Sequence, residues 1–241
     1  MSIVSYPRGL EIPPFNLERH EVDANTIALW QLDGDLLDSG PNGLNLTEVG
    51  TVPYVLHGVP GRLPNISADP TAANYGTQAN GLLRLQGALT IEALVRPSST
   101  PNAENVICAH GESLNSLATN FSYILFFNSS YQLKYYSETG SGDNNFTATG
   151  GTLTANEWNH VAMVRQAGGD VEMFINGVSV GASSGLSAPT DGGSSIFWLG
   201  RHWSATPFLE GYVGTLHILD RAKSDAEILA EANRLVPSWN G

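Results

Sequence analysis

Cysteine occurs once in the 241 residues, as Cys108, so the chain can close no internal disulfide and has no cysteine-based zinc site. Lying within Val106–His110, Cys108 is expected to be a small core residue rather than a reactive thiol. Basic residues are also scarce, with 11 Lys and Arg against 23 Asp and Glu and a net charge of -12. Strong non-specific attraction to phosphate backbones or anionic bilayers needs a basic patch, so neither nucleic acid nor membrane is expected as a partner. No apolar run is long enough for a membrane-crossing helix. The N-terminal MSIVSYPRGLEIPPF lacks the basic start and apolar centre of a signal peptide, so synthesis in a cytoplasm without that export route is expected. Asn-x-Ser/Thr triplets such as Asn45-Leu46-Thr47 are explained by the abundance of these residues, and no glycosylation is inferred from them. Gly-x-Ser-x-Gly, His-Glu-x-x-His, a phosphate-binding glycine loop before a helix and a Cys/His cluster are all missing.

What the chain does contain is turn-forming residues and short alternating segments. Hydrophobic residues make up 41%, with Gly 26 and Pro 13, a composition that suits many short strands around one core. The clearest stretch is WNHVAMVRQAGGDVEMFINGVSVG, Trp158 to Gly181. Apolar and polar residues alternate through Trp158–Arg165, and Val171, Met173 and Ile175 share one face of a second strand. Asn176-Gly177 then tolerates the positive φ that a two-residue hairpin needs, so a three-stranded antiparallel meander is expected.

Taken in order, residues 1–24, with Pro7, Pro13 and Pro14, read as an extended arm that a partner or oligomeric neighbour would hold. A single domain is expected over 25–236, with a tail at 237–241. Thr26–Leu32 alternates as a strand and enters a loop containing Asp33, Asp35 and Asp38, whose oxygens can hold a hard cation such as Ca²⁺ or cap their own turns. Leu82–Leu85 and Leu89–Arg96 read as strands. Glu92 and Arg96 fall on one strand face, where a paired or solvated charge is the expectation rather than a catalytic group. Further strands are expected at Asn105–His110, Phe121–Asn128, Tyr131–Tyr136, Ile196–Arg201 and Gly211–Leu219, with residues 137–151 as a loop. Tyr135 and Tyr136, being adjacent, must face opposite sides of their sheet. Ser224-Asp225-Ala226-Glu227 has capping-box spacing before an apolar stripe of Ile228, Leu229, Ala232 and Leu235, so a short packing helix closes the chain.

Several pieces in this order resemble the laminin-G-like, concanavalin A-like lectin/glucanase jelly rolls found in bacterial and viral surface proteins. They are Ala28-Leu29-Trp30 to Asp33-Gly34, Leu89 to Pro97, Trp158-Asn159-His160-Val161-Ala162, Phe174-Ile175-Asn176-Gly177, Leu199-Gly200-Arg201, and Phe208 through Ile228. The resemblance implies an all-β antiparallel sandwich, with Trp158, His160 and the Asn176-Gly177 hairpin as structural hallmarks and His160 as a satisfied core histidine. It also implies a calcium site between the early loop and an acidic pair in the last long strand. Here Gly214-Thr215 stands in place of that pair, leaving Asp33, Asp35 and Asp38 as donors.

Glycosidases of this fold place carboxylates as Glu-x-Asp-x-Glu on one strand, and no such string occurs here, so the chain is expected not to be an enzyme. Loop aromatics and amides instead suggest glycan binding, with His202, Trp203 and Phe208 as one cluster and Asn144 and Asn145 on another rim. The expected role is a structural and binding component of a particle, such as a bacteriophage capsid decoration, fibre or tail protein. It would sit on the virion surface or outside the cell, contact virion proteins through its arm, display a glycan-binding surface and form homo-oligomers. The alternative is a free-standing lectin.

Overall fold

The computed structural model describes residues 19–57, 65–71, 74–112, 121–139, 142–189, 195–202 and 208–240. The strands are β1 (Thr26–Trp30), β2 (Thr47–Val49), β3 (Tyr54–His57), β4 (Asn65–Ala68), β5 (Tyr75–Gln78), β6 (Leu89–Pro97), β7 (Glu104–Glu112) and β8 (Phe121–Asn128). They continue with β9 (Leu133–Thr139), β10 (Gly142–Thr147), β11 (Asn159–Arg165), β12 (Val171–Ile175), β13 (Val178–Ser183), β14 (Ser195–Leu199) and β15 (Gly211–Leu219), followed by helix α1 (Asp225–Asn240). One sheet runs β13-β12-β11-β6-β15-β4-β3, with β1 also pairing with β15; the other runs β10-β9-β8-β7-β14-β5-β2. The sheets face one another across a single apolar core, as expected for a jelly-roll sandwich.

Alternation decides which side chains enter that core. In β6, Leu89, Ile91, Ala93 and Val95 point inward with Val161 and Met163 of β11 and Leu216 and Ile218 of β15. Trp30 of the first sheet stacks on Phe197 of the second at 5.0 Å between ring centroids, and its Nε1 donates to the Leu44 carbonyl at 2.8 Å. Cys108 is fully buried in the same core, and burial pushes its thiol pKa far up. The meander forms as expected. Asn176 (φ 51°) and Gly177 (φ 79°) make the left-handed link between β12 and β13.

A third layer covers the outer face of the eight-stranded sheet. Ile228 of α1 packs on Ala162, Val164 and Phe174, and Leu235 packs on Leu94 and Trp158. Trp158 is thus buried beneath the helix rather than between the sheets. The capping box is present: the Ser224 N–H donates to Glu227 Oε2 at 2.8 Å, and the Glu227 N–H reaches Ser224 Oγ at 3.4 Å. The helix continues past Pro237 to Asn240 and takes in most of the expected tail.

Three segments differ from the sequence reading. Gly81–Leu83 is a 3-10 turn instead of part of a strand, because the Asn80 side chain accepts the Leu82 N–H at 2.9 Å and starts a turn. The expected loop after β9 contains β10, whose polar sequence GDNNFT is held extended by pairing from Gly142↔Thr139 to Thr147↔Lys134. Residues 19–24 of the expected arm pack on their own domain: Arg19 pairs with Asp33, Asp23 with Arg221, and His20 is buried. Residues 1–18 lie outside the described residues.

Arg165 of β11 lies 1% exposed in the core and joins the two sheets. Its guanidinium donates to the carbonyls of Leu85, Gly87 and Ser122 and to the Tyr135 hydroxyl. Arg165→Met keeps the apolar stem but leaves these acceptors unpaired. The expected loss is at least about 3 kcal/mol, read from the midpoint of urea unfolding.

Candidate functional site

The outer face of the seven-stranded sheet has no counterpart of α1 among the described residues. There the strands turn apolar side chains away from the core: Val106, Phe121, Ile124, Phe126 and Trp198 form a second cluster with Tyr75 and Tyr136 at its edge. The register brings them side by side, with Val106 opposite Phe126, Ile124 opposite Tyr136 and Phe126 opposite Lys134. An open pocket of about 380 Å³ lies over this cluster, floored by Phe121, Ile124 and Phe126 and rimmed by Lys134, Tyr136, Asn145 and His202.

The rim is polar and ordered by local bonds. Lys134 Nζ sits 5.0 Å from the centre of the Phe126 ring, a cation–π distance. The Tyr136 hydroxyl donates to Glu138 Oε1 at 2.9 Å, while Glu138 Oε2 accepts the Phe121 N–H at 3.2 Å. Burial, reinforced by the Glu138 charge, raises the Tyr136 hydroxyl pKa, so it remains a donor. His202 lies edge-on to Phe121 with centroids 6.1 Å apart. Burial, assisted by the charge of Arg201, lowers its pKa to about 4, so the imidazole is neutral near pH 7. Arg201 is stacked over the Tyr75 ring at 4.2 Å.

An apolar floor beneath hydroxyl, ammonium, amide and imidazole groups can hold the apolar face of a sugar ring and hydrogen-bond its hydroxyls. The two carboxylates of the pocket are poorly placed for glycoside cleavage. Glu104 is opposite Asn128, whereas Glu138 lies two residues beyond Tyr136, which is opposite Ile124. Six residues along the strand direction separate them by roughly 20 Å at about 3.4 Å each. A glycosidase pair needs no more than about 10 Å.

Of the residues picked from the sequence, Asn145 and His202 line this pocket. Asn144 is committed elsewhere: its Nδ2 donates to Ser137 Oγ at 2.9 Å and to the Ser187 carbonyl at 2.8 Å. Phe208 lies away from the pocket lining, in a bridge with Arg201, with its carbonyl accepting from Asn102. Trp203 lies outside the described residues. The floor residues were not singled out. Their signal is Phe121–Asn128 itself, FSYILFFN, which is apolar on both faces where a strand with a plain solvent face would alternate.

The expected calcium donors have separate partners. Asp38 accepts the Leu29, Gly40 and Leu44 N–H groups at 2.9, 2.7 and 2.7 Å. Asp35 caps its own turn through the Leu37 N–H, and Asp33 pairs with Arg19. Among the described residues, the only trio of potential metal donors gathered within 4.8 Å of one another is His20, Glu92 and His217, at a different place in the fold.

A family model described as the concanavalin A-like lectin/glucanases superfamily matches residues 70–229. Solved structures show the same fold at low identity. Domain 4 of a GH43 extracellular arabinanase from Geobacillus stearothermophilus, in complex with arabinotriose, is 19% identical with a TM-score of 0.61, covering 86% of this chain and 98% of that one. The binding domain of Paraclostridial Mosquitocidal Protein 1 is 15% identical with a TM-score of 0.63, covering 87% of this chain and 52% of that one. A botulinum neurotoxin type C structure, from work on cell entry through two ganglioside molecules, is 13% identical with a TM-score of 0.59, covering 88% and 51%. This chain therefore spans about half the length of the toxin chains. No curated protein sequence gives a match.

The His202 shift has a definite sign. Its folded pKa of about 4 lies below the ordinary histidine value of 6.5, so its contribution to stability is complete above pH 6.5 and is lost as pH falls toward 4. NMR titration of the imidazole is expected to give a midpoint near pH 4, and His202→Gln to reduce the loss of stability between pH 6.5 and 4.

Proposed function

The chain belongs to the concanavalin A-like lectin/glucanases superfamily, and from that premise we propose that it is a non-catalytic glycan-binding module. Its binding surface is the pocket on the outer face of the seven-stranded sheet. The observation that carries this reading is the apolar floor of Phe121, Ile124 and Phe126 under a rim of Tyr136, Lys134, Asn145 and His202. Such a surface matches the two-sided chemistry of a sugar ring. The separation of Glu104 from Glu138 favours binding over cleavage. The arabinotriose complex and the ganglioside connection of two structural neighbours make an oligosaccharide the natural class of ligand.

Placement on a virion draws no support from these neighbours. Docking of His20 and Arg19 onto their own domain also means that the described end of the arm needs no outside partner to be held.

The test is a glycan array probed with the full chain, followed by calorimetry on the best ligand. Tyr136→Ser and Lys134→Ala change rim groups and leave the floor intact. Each is expected to weaken binding about tenfold or more, equivalent to about 1.4 kcal/mol. Sugar binding unaffected by both variants would place the site elsewhere, and absence of binding across the array would remove the glycan reading. Sugar release abolished by a single carboxylate substitution would make the protein an enzyme.

A further inference from the structure

The outer face of the eight-stranded sheet carries a polar cluster in the middle of an apolar layer. Glu92 of β6 stands opposite His217 of β15, and His160 of β11 is opposite the neighbouring Leu94. His20, in the segment before β1, lies over them, with ring centroids 5.3 Å from His217 and 5.9 Å from His160. All four residues are at most 3% exposed.

Some of their polar atoms have partners. His20 Nδ1 is 2.7 Å from Glu231 Oε1 of α1, and an ionised carboxylate only accepts, so Nδ1 carries the proton. His217 Nε2 is 2.9 Å from Thr26 Oγ1, a hydroxyl that also accepts the Asp23 N–H and is oriented to donate to Asp23 Oδ1. With that hydroxyl turned toward Asp23, His217 Nε2 donates to it and Nδ1 is left as an acceptor. Lys223 Nζ pairs with Glu92 Oε2. His20 Nε2, His217 Nδ1 and Glu92 Oε1 remain buried without a hydrogen-bond partner. One donor atom from each of these residues lies within 4.8 Å of the others.

With these tautomers, the three unpartnered atoms are all acceptors. Lys223 and His160 offset the charge of Glu92, but the two ring nitrogens keep no donor. A water molecule brings two protons for three acceptors and would need His160 Nε2 as the donor to the third. A cation satisfies all three at once. The chemistry selects its type: two imidazole nitrogens and one carboxylate oxygen suit Zn²⁺ and its first-row neighbours better than calcium, which prefers oxygen ligands. The surroundings are those of a metal site too, since each imidazole is oriented through its other nitrogen, by Glu231 and by Thr26.

We propose that His20 Nε2, His217 Nδ1 and Glu92 Oε1 form a structural site for a divalent transition metal, Zn²⁺ foremost. The site joins the N-terminal segment to the sheet beneath α1. His160, expected as a satisfied histidine, has no aligned hydrogen bond at either ring nitrogen. Its Nε2 is 3.3 Å from Glu92 Oε1, which makes it the nearest further donor for a fourth position. His20 and Glu231 lie outside the matched residues 70–229, so the complete set is not contained in the family-matched region.

The experiment uses the full chain without a polyhistidine tag, stripped with chelator and titrated with Zn²⁺. Elemental analysis after gel filtration is expected to give one Zn²⁺ per chain. X-ray absorption at the zinc edge should show nitrogen and oxygen ligands at about 2.0–2.1 Å and no sulfur. At a hundredfold excess over Kd, the melting temperature should rise by roughly 5–10 °C. Both the stoichiometry and the shift should vanish in His20→Ala, which lies in the segment before the first strand, and in Glu92→Gln. If one variant fails to fold, the other provides the comparison. Substoichiometric metal, or metal retained by a folded His20→Ala or Glu92→Gln protein, would mean an adventitious ion only and would overturn the proposal. An unchanged melting temperature with no bound metal would do the same. None of these readouts depends on glycan binding, so failure here is distinct from failure of the pocket.

Discussion

The central constraint is that β6 is covered on both sides. Its inward residues fill the space between the sheets, and its outward residues Thr90, Glu92 and Leu94 are as fully buried as the inward ones. A strand in that position carries a carboxylate only if neighbouring elements supply compensating groups. Lys223 comes from the approach to α1, and His160 comes from the flanking strand β11. The helix and the N-terminal segment thus do more than shield apolar surface; they complete the polar surroundings that Glu92 requires.

The two sheets consequently have different outer surfaces. On the eight-stranded sheet, α1 and residues 19–24 cover the outer face of β6 and β11, which therefore belongs to the interior. The seven-stranded sheet turns Phe121, Ile124 and Phe126 to its outer side and leaves a pocket above them. Among the described residues, the covering elements are concentrated on one side and the pocket lies on the other. The floor of the pocket is made of strand residues, which hold their positions more firmly than loop residues.

Most of the framework is readable from local pattern. The Asn176-Gly177 turn, the β6 run and the Ser224–Glu227 capping box each carry a short-range signal that the tertiary structure preserves. What escapes such reading is set by a particular partner rather than by periodicity. β10 has little intrinsic strand preference and exists through its pairing with β9. Leu82 enters a turn because one amide at Asn80 accepts its N–H. His20 meets Glu231 across 211 positions of sequence, which no periodicity could reveal. In the pocket, alternation hides the distinction between neighbours: Asn144 serves the fold, while Asn145 reaches the rim.

The solitary thiol has a practical consequence. Cys108 is shielded from solvent and held in its protonated form, a combination that makes it slow toward alkylating reagents. A second cysteine introduced at an exposed position such as Val178, 63% exposed on β13, would therefore be the chain's sole readily modified sulfur. A fluorophore or spin label could be attached there, on the sheet opposite the pocket, without first removing the native residue.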